Sequence, residues 1–208
     1  MEIKVKPGDL FQEATELAIL GAVEGALLSD EVACLFELKD FEGKTGQTLM
    51  LYPRGALAPK RLLLVGMGKA EKVNNESIRR VSATAVKEAQ KLQVSEVTVA
   101  VHGDLPLQPE ETGQAFAEGV EMGQYRFAHY RTGLTDTQTF DVKAVTIFTK
   151  NNTRVDAGAK IGQIVGRGVN FARELVNGPG YAMYPAKLAE EAVALGKRLS
   201  LKVKVWDM

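Results

Sequence analysis

The sequence predicts an α/β fold in which a mixed, largely parallel sheet carries helices on both faces and is followed by one long helix. Short, nearly continuous apolar runs bounded by Gly or Pro predict strands buried on both faces, and they occupy residues 17–23, 48–52 and 61–66. A segment with helical periodicity separates the last of these runs from a further predicted strand at residues 97–101. Strand, helix and strand in this order indicate the right-handed crossover of a parallel sheet.

The other elements of the first domain also follow from periodicity. Residues 2–6 alternate apolar and charged side chains before Pro7, which predicts a half-buried edge strand. A helix is predicted from Asn75 and another from near Pro109, and residues 142–148 are predicted to form a strand. Apolar positions three or four residues apart define the buried stripe of the first helix: Ile78, Val81, Ala85, Ala89 and Leu92.

Three parts are predicted along the chain: an N-terminal α/β domain at residues 1–152, an interdomain helix at 153–178, and the start of a second domain at 179–208. The interdomain helix is long, and Thr153 with Asp156 has the spacing of a capping box. The last part is predicted to contain a helix from Pro185 and an alternating strand at residues 201–205. One helix and one strand have no core, so we expect this second domain to continue beyond residue 208.

Composition excludes several classes of protein. The chain has 26 basic and 26 acidic residues, and residues 1–152 carry 17 basic and 21 acidic ones, so no strong positive field favours nucleic acid as a partner. No run of about 18 apolar residues predicts a membrane span. The single cysteine, Cys34, lies in an apolar run and is predicted to be buried as a small hydrophobe. We expect a cytoplasmic protein without an internal disulfide.

The residues by themselves predict no catalytic, cofactor-binding or metal site. His102 and His129 lack the spacing of a metal motif, and no Gly-x-Ser-x-Gly elbow occurs. The turn at residues 66–69 follows a strand and precedes a helix, so an anion cradle is an alternative to a plain turn. Two other features favour ordinary roles over chemistry: the acid pairs Glu110-Glu111 and Glu190-Glu191, placed early in helices, and the aromatic and basic residues Tyr125, Arg126, Phe127, Tyr130 and Arg131.

An ordered set of local patterns extends from about Leu62 to the end of the chain. Its members are residues 62–69 (Leu-Leu-Leu-Val-Gly-Met-Gly-Lys), 78–80 (Ile-Arg-Arg), 117–119 with 123–127, and, as the strongest, 172–179 (Ala-Arg-Glu-Leu-Val-Asn-x-Pro). In this order and spacing the chain resembles the leucine aminopeptidases of the cytosolic metallopeptidase type. One position departs from the pattern, since the family usually has Asn where this chain has Tyr181.

The resemblance implies an N-terminal domain of macro-like topology, a linking helix and a C-terminal catalytic domain. In that catalytic domain Lys, Asp and Glu would hold two divalent metals, Mn or Zn, and would hydrolyse the first peptide bond of peptide substrates. The family's catalytic motifs correspond to sequence beyond residue 208, so the resemblance assigns no site residue in this chain. We therefore expect the chain alone to be inactive and to hold no cofactor.

The implied role of these 208 residues is assembly of a homohexamer and control of substrate access. Two alternatives come from the binding class of proteins. One is a macro-type module that holds ADP-ribose or a related nucleotide through the turn at residues 66–69. The other is a DNA-binding module, for which steeply salt-dependent binding would be the signature.

The helix predicted from Pro185 and the segment after it carry large apolar side chains that we do not expect to pack against the first domain. They are Leu188, Leu195, Leu199, Val203, Val205 and Trp206. Each large apolar side chain that becomes buried contributes about 1.5 to 3 kcal/mol. We therefore expect this surface to pack on a neighbouring copy of the chain, in a dimer or a swapped assembly.

Overall fold

The computed structural model describes residues 1–37, 39–102 and 106–206. Its strands are β1 (Glu2–Lys6), β2 (Ala18–Ala22), β3 (Thr48–Leu51), β4 (Leu62–Gly66), β5 (Glu96–Val101) and β6 (Ala144–Phe148). Its helices are α1 (Asp30–Ala33), α2 (Asn75–Lys91), α3 (Pro109–Gln124), α4 (Asp136–Thr139), α5 (Asn152–Asn177) and α6 (Pro185–Leu199), with short 3-10 turns at Leu10–Gln12 and Ala70–Lys72.

The strands form one sheet in the order β1-β6-β5-β2-β4-β3. Every neighbouring pair is parallel except β3 with β4, which is antiparallel. The mixed, largely parallel sheet predicted from the sequence is therefore confirmed, and β1 lies at an edge as expected. Strand β2 lies between β4 and β5. The predicted unit of β4, α2 and β5 therefore does not connect two neighbouring strands, because β2 separates them in the sheet.

The two faces of the sheet are covered differently. On one face, alternate residues such as Ile19, Val99 and Ile147 pack against the apolar stripes of α2 and α3 and against Val155 at the start of α5. On the other face, residues including Leu20, Leu64 and Phe148 pack against short segments, which contribute Leu10, Val32, Phe41 and Leu57. Helices α2 and α3 and the start of α5 thus share one face, and short α1 with its neighbouring loops covers the other.

Helix α3 lies in close contact with both α2 and α5 because glycines remove the side chains between them. A Cβ on Gly119 or Gly123 of α3 would overlap the backbone of α2. In α5, a Cβ on Gly158 or Gly162 would overlap the backbone of α3. These contacts hold the first turns of α5 against the first domain.

Two compact units divide the chain, one at residues 1–167 and the other at residues 168–208. The division falls inside α5, which begins at Asn152, one residue before the predicted start. Thr153 therefore lies within the helix and not at its N-cap, and Asp156 is ion-paired with Lys160 at 2.7 Å. The predicted capping box therefore does not form at the start of α5.

The end of the second unit differs from the prediction, since residues 201–206 form no strand. Ser200 ends α6 in the left-handed region (φ 56°), and the Leu201 amide then donates to the Gly196 carbonyl at 2.8 Å. Val203 packs on Gly196, which is the only buried residue of α6. The alternating pattern is present, but an isolated strand leaves its backbone hydrogen bonds unmade, so the segment folds back on the helix end.

The prediction that Cys34 is buried is also wrong, because the thiol is exposed. Residues around it form the short helix α1 and its C-cap, where Val32 is the buried residue. Positions two residues apart point to opposite sides of a helix, so burying Val32 turns Cys34 outward. The Cys34 thiol donates to the Glu31 carbonyl at 3.3 Å.

Candidate functional site

The carboxyl ends of four parallel strands, β1, β6, β5 and β2, meet at one edge of the sheet. From the end of β5 the chain continues into α3 on one face, whereas from the end of β2 it continues toward α1 on the other face. Neighbouring strands whose connections leave to opposite faces open a crevice between them. In open α/β sheets this is where ligands bind.

A cleft of about 620 Å³ occupies this edge, and we call it the strand-end cleft. One wall is formed by residues 8–11, which follow β1, and the other by the first turns of α3 and α5. The strands and the residues that follow them contribute Leu20, His102, Phe148, Thr149 and Lys150 between the walls. Of these residues only His102 was considered as a candidate from the sequence, although Phe148, Thr149 and Lys150 end or follow the strand predicted at residues 142–148.

The two histidines do not come together. The amide of His102 continues the β5 ladder by donating to the Gly21 carbonyl at 2.8 Å, and the residue lines the strand-end cleft. His129 lies in a cluster of aromatic rings, 5.5 Å from the Phe127 ring and 6.5 Å from the Tyr130 ring between centroids. Across residues 1–37, 39–102 and 106–206, no three His, Cys, Asp or Glu side chains are placed to share a metal ion.

The turn at residues 66–69 uses its own backbone amides internally. The amides of Gly66, Met67 and Gly68 donate to the carbonyls of Gln47, Ala22 and Gly43 at 2.8 to 2.9 Å. An anion cradle needs free amides pointing at the ligand. The geometry therefore favours the plain turn over the nucleotide cradle that was its alternative.

Three acids of these two pairs have basic partners on their own or a neighbouring helix. Glu110, in the first turn of α3, is ion-paired with Arg154 of α5, and this hydrogen bond lowers the pKa of Glu110. Glu190 and Glu191 both approach Nζ of Lys187, at 3.1 and 3.3 Å. The hydrogen bond to Glu190, followed by that to Glu191, raises the pKa of Lys187.

Arg126, the first cation of the aromatic and basic segment, is engaged within its own domain. Its guanidinium donates to the carbonyls of Phe140 and Thr139 at 2.7 and 3.0 Å and to the Asp141 carboxylate at 2.5 Å. These bonds fix the loop after α3 to the segment before β6. A nucleic-acid role for this arginine would require breaking them.

Two buried carboxylates on α3 were not singled out from the sequence. Glu118 accepts from Arg79 of α2 and from Gln114, and Glu121 accepts from Gln163 and Arg167 of α5. A signal for their burial exists in the sequence, since both lie among Ala117, Gly119 and Val120 in an otherwise small or apolar stretch. Their partners are structural, because each joins α3 to an adjacent helix.

The comparisons with known proteins agree with this architecture. The model of the cytosol aminopeptidase family's N-terminal domain matches residues 10–133. A protein of Roseiflexus castenholzii named "Probable cytosol aminopeptidase" is 35% identical over 207 residues, which cover 99% of this chain and 42% of the relative. Its namesake in Aquifex aeolicus is 35% identical over 181 residues, covering 86% of this chain and 35% of the relative.

Solved structures share the fold. A mutant of tomato leucine aminopeptidase superposes with a TM-score of 0.81 at 24% identity, covering 96% of this chain and 43% of that one. The bottromycin maturation enzyme BotP, solved in complex with Mn, gives a TM-score of 0.74 at 20% identity, with coverages of 94% and 39%. The chain thus spans less than half the length of these relatives. No helix among the described residues is long and apolar enough to cross a membrane. With a family match over more than half of its residues, the chain belongs to the cytosol aminopeptidase family, of which it carries the N-terminal domain.

Proposed function

We propose that the protein to which this chain belongs is a cytoplasmic aminopeptidase, and that this chain supplies its non-catalytic N-terminal domain. The observation that carries the proposal is the match of residues 10–133 to the N-terminal domain of the cytosol aminopeptidase family. Two relatives that are 35% identical and are named "Probable cytosol aminopeptidase" support the same reaction. The substrates would be peptides with a free N-terminal amine.

In the proposed reaction, two divalent metals, Mn or Zn, bind the substrate amine and activate a water against the first peptide bond. The metal ligands would come from the part of the relatives that this chain does not match, since the match spans 42% of the Roseiflexus protein. The part played by these 208 residues would be assembly and control of substrate access.

An assembly role is supported by the apolar surface of the second unit. Large side chains are exposed along α6, around it and on the segment that follows: Val176, Tyr181, Leu188, Leu199 and Trp206. A contiguous patch of exposed apolar side chains is uncommon on proteins that act as monomers. We propose that this apolar surface is covered by other copies of the chain. The whole protein would form a homohexamer, and this chain alone would form a dimer or a swapped assembly.

The experiment that tests the proposed reaction uses the full-length product of the gene that encodes this chain. Cleavage of leucyl-p-nitroanilide should stop after chelation of divalent ions and return when Mn²⁺ is added. Cleavage that persists in the chelated protein would contradict a metal-dependent reaction, and no cleavage under any metal would contradict the aminopeptidase assignment.

A further inference from the structure

The strand-end cleft has no part in the proposed peptidase reaction, yet it has the position and size of a ligand site. Its volume of about 620 Å³ lies within the range of roughly 300 to 1,000 Å³ that small-molecule sites occupy. It is open to solvent along the edge of the sheet where β2 and β5 send their connections to opposite faces. Such crevices bind ligands because the ends of the strands and the starts of the helices place side chains around a space that stays open to solvent.

Both walls of the cleft carry apolar side chains. Leu10 and Phe11 belong to the wall formed by residues 8–11, and Leu107 and Phe116 lie at the start of α3; Leu10 and Phe116 are buried, whereas Phe11 and Leu107 are partly exposed. Gly8 keeps the first wall close to the strand ends, since its φ of 141° suits glycine and a Cβ there would lie 3.1 Å from the Phe148 ring. A flat apolar or aromatic group is the ligand body that fits between such walls.

Two charged side chains line the cleft, Asp9 on the wall formed by residues 8–11 and Lys150 after the end of β6. The carboxylate of Asp9 accepts from the Phe11 amide at 2.9 Å, and Glu110 beyond the rim is ion-paired with Arg154. Lys150, which follows β6, lines the cleft and forms no ion pair with any described residue. The partial positive charge at the start of α5, just beyond Lys150, has the same sign. An anionic group is the natural counterpart of this end of the cleft.

We propose that the strand-end cleft binds a small organic anion, whose apolar or aromatic body packs against Phe11 and Leu107 and whose phosphate or carboxylate group meets Lys150. The site is separate from the turn at residues 66–69, whose amides are engaged. It would give the N-terminal domain a ligand of its own, independent of the metal-dependent reaction.

The test titrates the 208-residue chain with two ring-bearing anions, AMP for phosphate and N-acetylphenylalanine for carboxylate. Adenosine, N-acetylphenylalaninamide and inorganic phosphate are the controls that lack either the charge or the ring. Amide chemical shifts of Phe11, His102 and Lys150 report binding at the cleft. At least one anion should bind with a Kd of about 1 mM or below and about tenfold tighter than its uncharged counterpart. The anion that binds more tightly identifies the phosphate or the carboxylate source.

Two variants locate the site. Lys150→Glu should weaken binding about tenfold or more, whereas Lys143→Glu, an exposed lysine just before the opposite end of β6, should leave it unchanged. Thr112→Trp should fill the cleft from α3 and abolish binding in a chain that still unfolds cooperatively. The proposal is overturned if neither anion moves these amides at about 10 mM, or if Lys150→Glu and Lys143→Glu bind alike.

Discussion

The Nε atom of Arg79 in α2 lies 2.5 Å from Oε2 of Glu118 in α3, and the Glu118 side chain is 5% exposed whereas that of Arg79 is 32% exposed. The second oxygen of the carboxylate accepts from Nε2 of Gln114 at 2.7 Å. Both oxygens of a buried charge are thus bonded, as its burial requires. The pair joins the two helices that cover one face of the sheet.

Removing the cation of this pair should destabilise the first domain. Arg79→Met leaves the Glu118 carboxylate buried without its counter-ion, which should lower the free energy of unfolding by about 2 to 3 kcal/mol. The matched control is Arg80→Met, which breaks the exposed pair of Arg80 with Glu76 and should cost less than about 0.5 kcal/mol. Urea unfolding measures both, and equal costs would contradict the structural role of Glu118.

Two glycines of α5 should respond to the same substitution with opposite signs. Gly162→Ala places a methyl group against the Gln114 carbonyl and Ala117 of α3, and the overlap should cost about 1 to 3 kcal/mol. Gly168→Ala adds a methyl group with nothing within 4 Å, so the gain in helix propensity should stabilise α5 by up to about 1 kcal/mol. Thermal unfolding of the two variants decides the matter; a stabilising Gly162→Ala would show that α5 does not lie this close to α3.

The pKa of Glu110 should lie below its ordinary value in the folded chain. The hydrogen bond from Arg154 is the main cause, followed by a backbone hydrogen bond. A lowered folded pKa contributes stability that is present above the unfolded pKa and is lost as the pH falls from the ordinary value of 4.5 through the folded pKa. Because Glu110 is solvent-exposed, the effect on stability should be small. Carboxyl titration by NMR should show the pKa rising in Arg154→Gln, and an unchanged pKa would contradict this ion pair.

The apolar surface of the second unit should drive association of the 208-residue chain. Light scattering should give the mass of a dimer or a larger assembly for the intact chain and a smaller mass for a chain ended at Asn177. Replacing Leu199 and Trp206, which are 55% and 77% exposed, by Glu should also reduce the mass, whereas the exposed control Lys202→Glu should not. A monomeric intact chain whose end still resists proteolysis would contradict this prediction.

Periodicity sufficed to predict most of the first domain. The apolar stripe of Ile78, Val81 and Ala85 predicted α2, and the apolar runs around Ile19 and Leu64 predicted central strands. These predictions were possible because the burial of a helix or strand is visible in the pattern of its own residues. The order of the strands in the sheet is not visible in any such local pattern. That β2 lies between β4 and β5, and so opens the strand-end cleft, depends on which strands pair across the fold.

The failures have a common physical cause, which is that a side chain's surroundings are set by distant residues. The alternation at residues 201–205 is real, but strand formation needs a partner strand, and the segment packs Val203 on Gly196 instead. Cys34 lies in an apolar run, yet the helical turn buries Val32 and exposes the thiol. The sequence around Glu118 gives no indication of its ion pair, because its partner Arg79 lies 39 residues earlier in the chain.

We propose that these residues form a non-catalytic domain of a metal-dependent aminopeptidase. The most direct measurement is the rate of leucyl-p-nitroanilide hydrolysis with Mn²⁺ present, taken in parallel for the 208-residue chain and for the full-length gene product. We expect cleavage by the full-length protein and none above background by the chain alone, which should also retain no stoichiometric Mn²⁺ or Zn²⁺ after dialysis. Clear turnover by a homogeneous preparation of the 208-residue chain would contradict it.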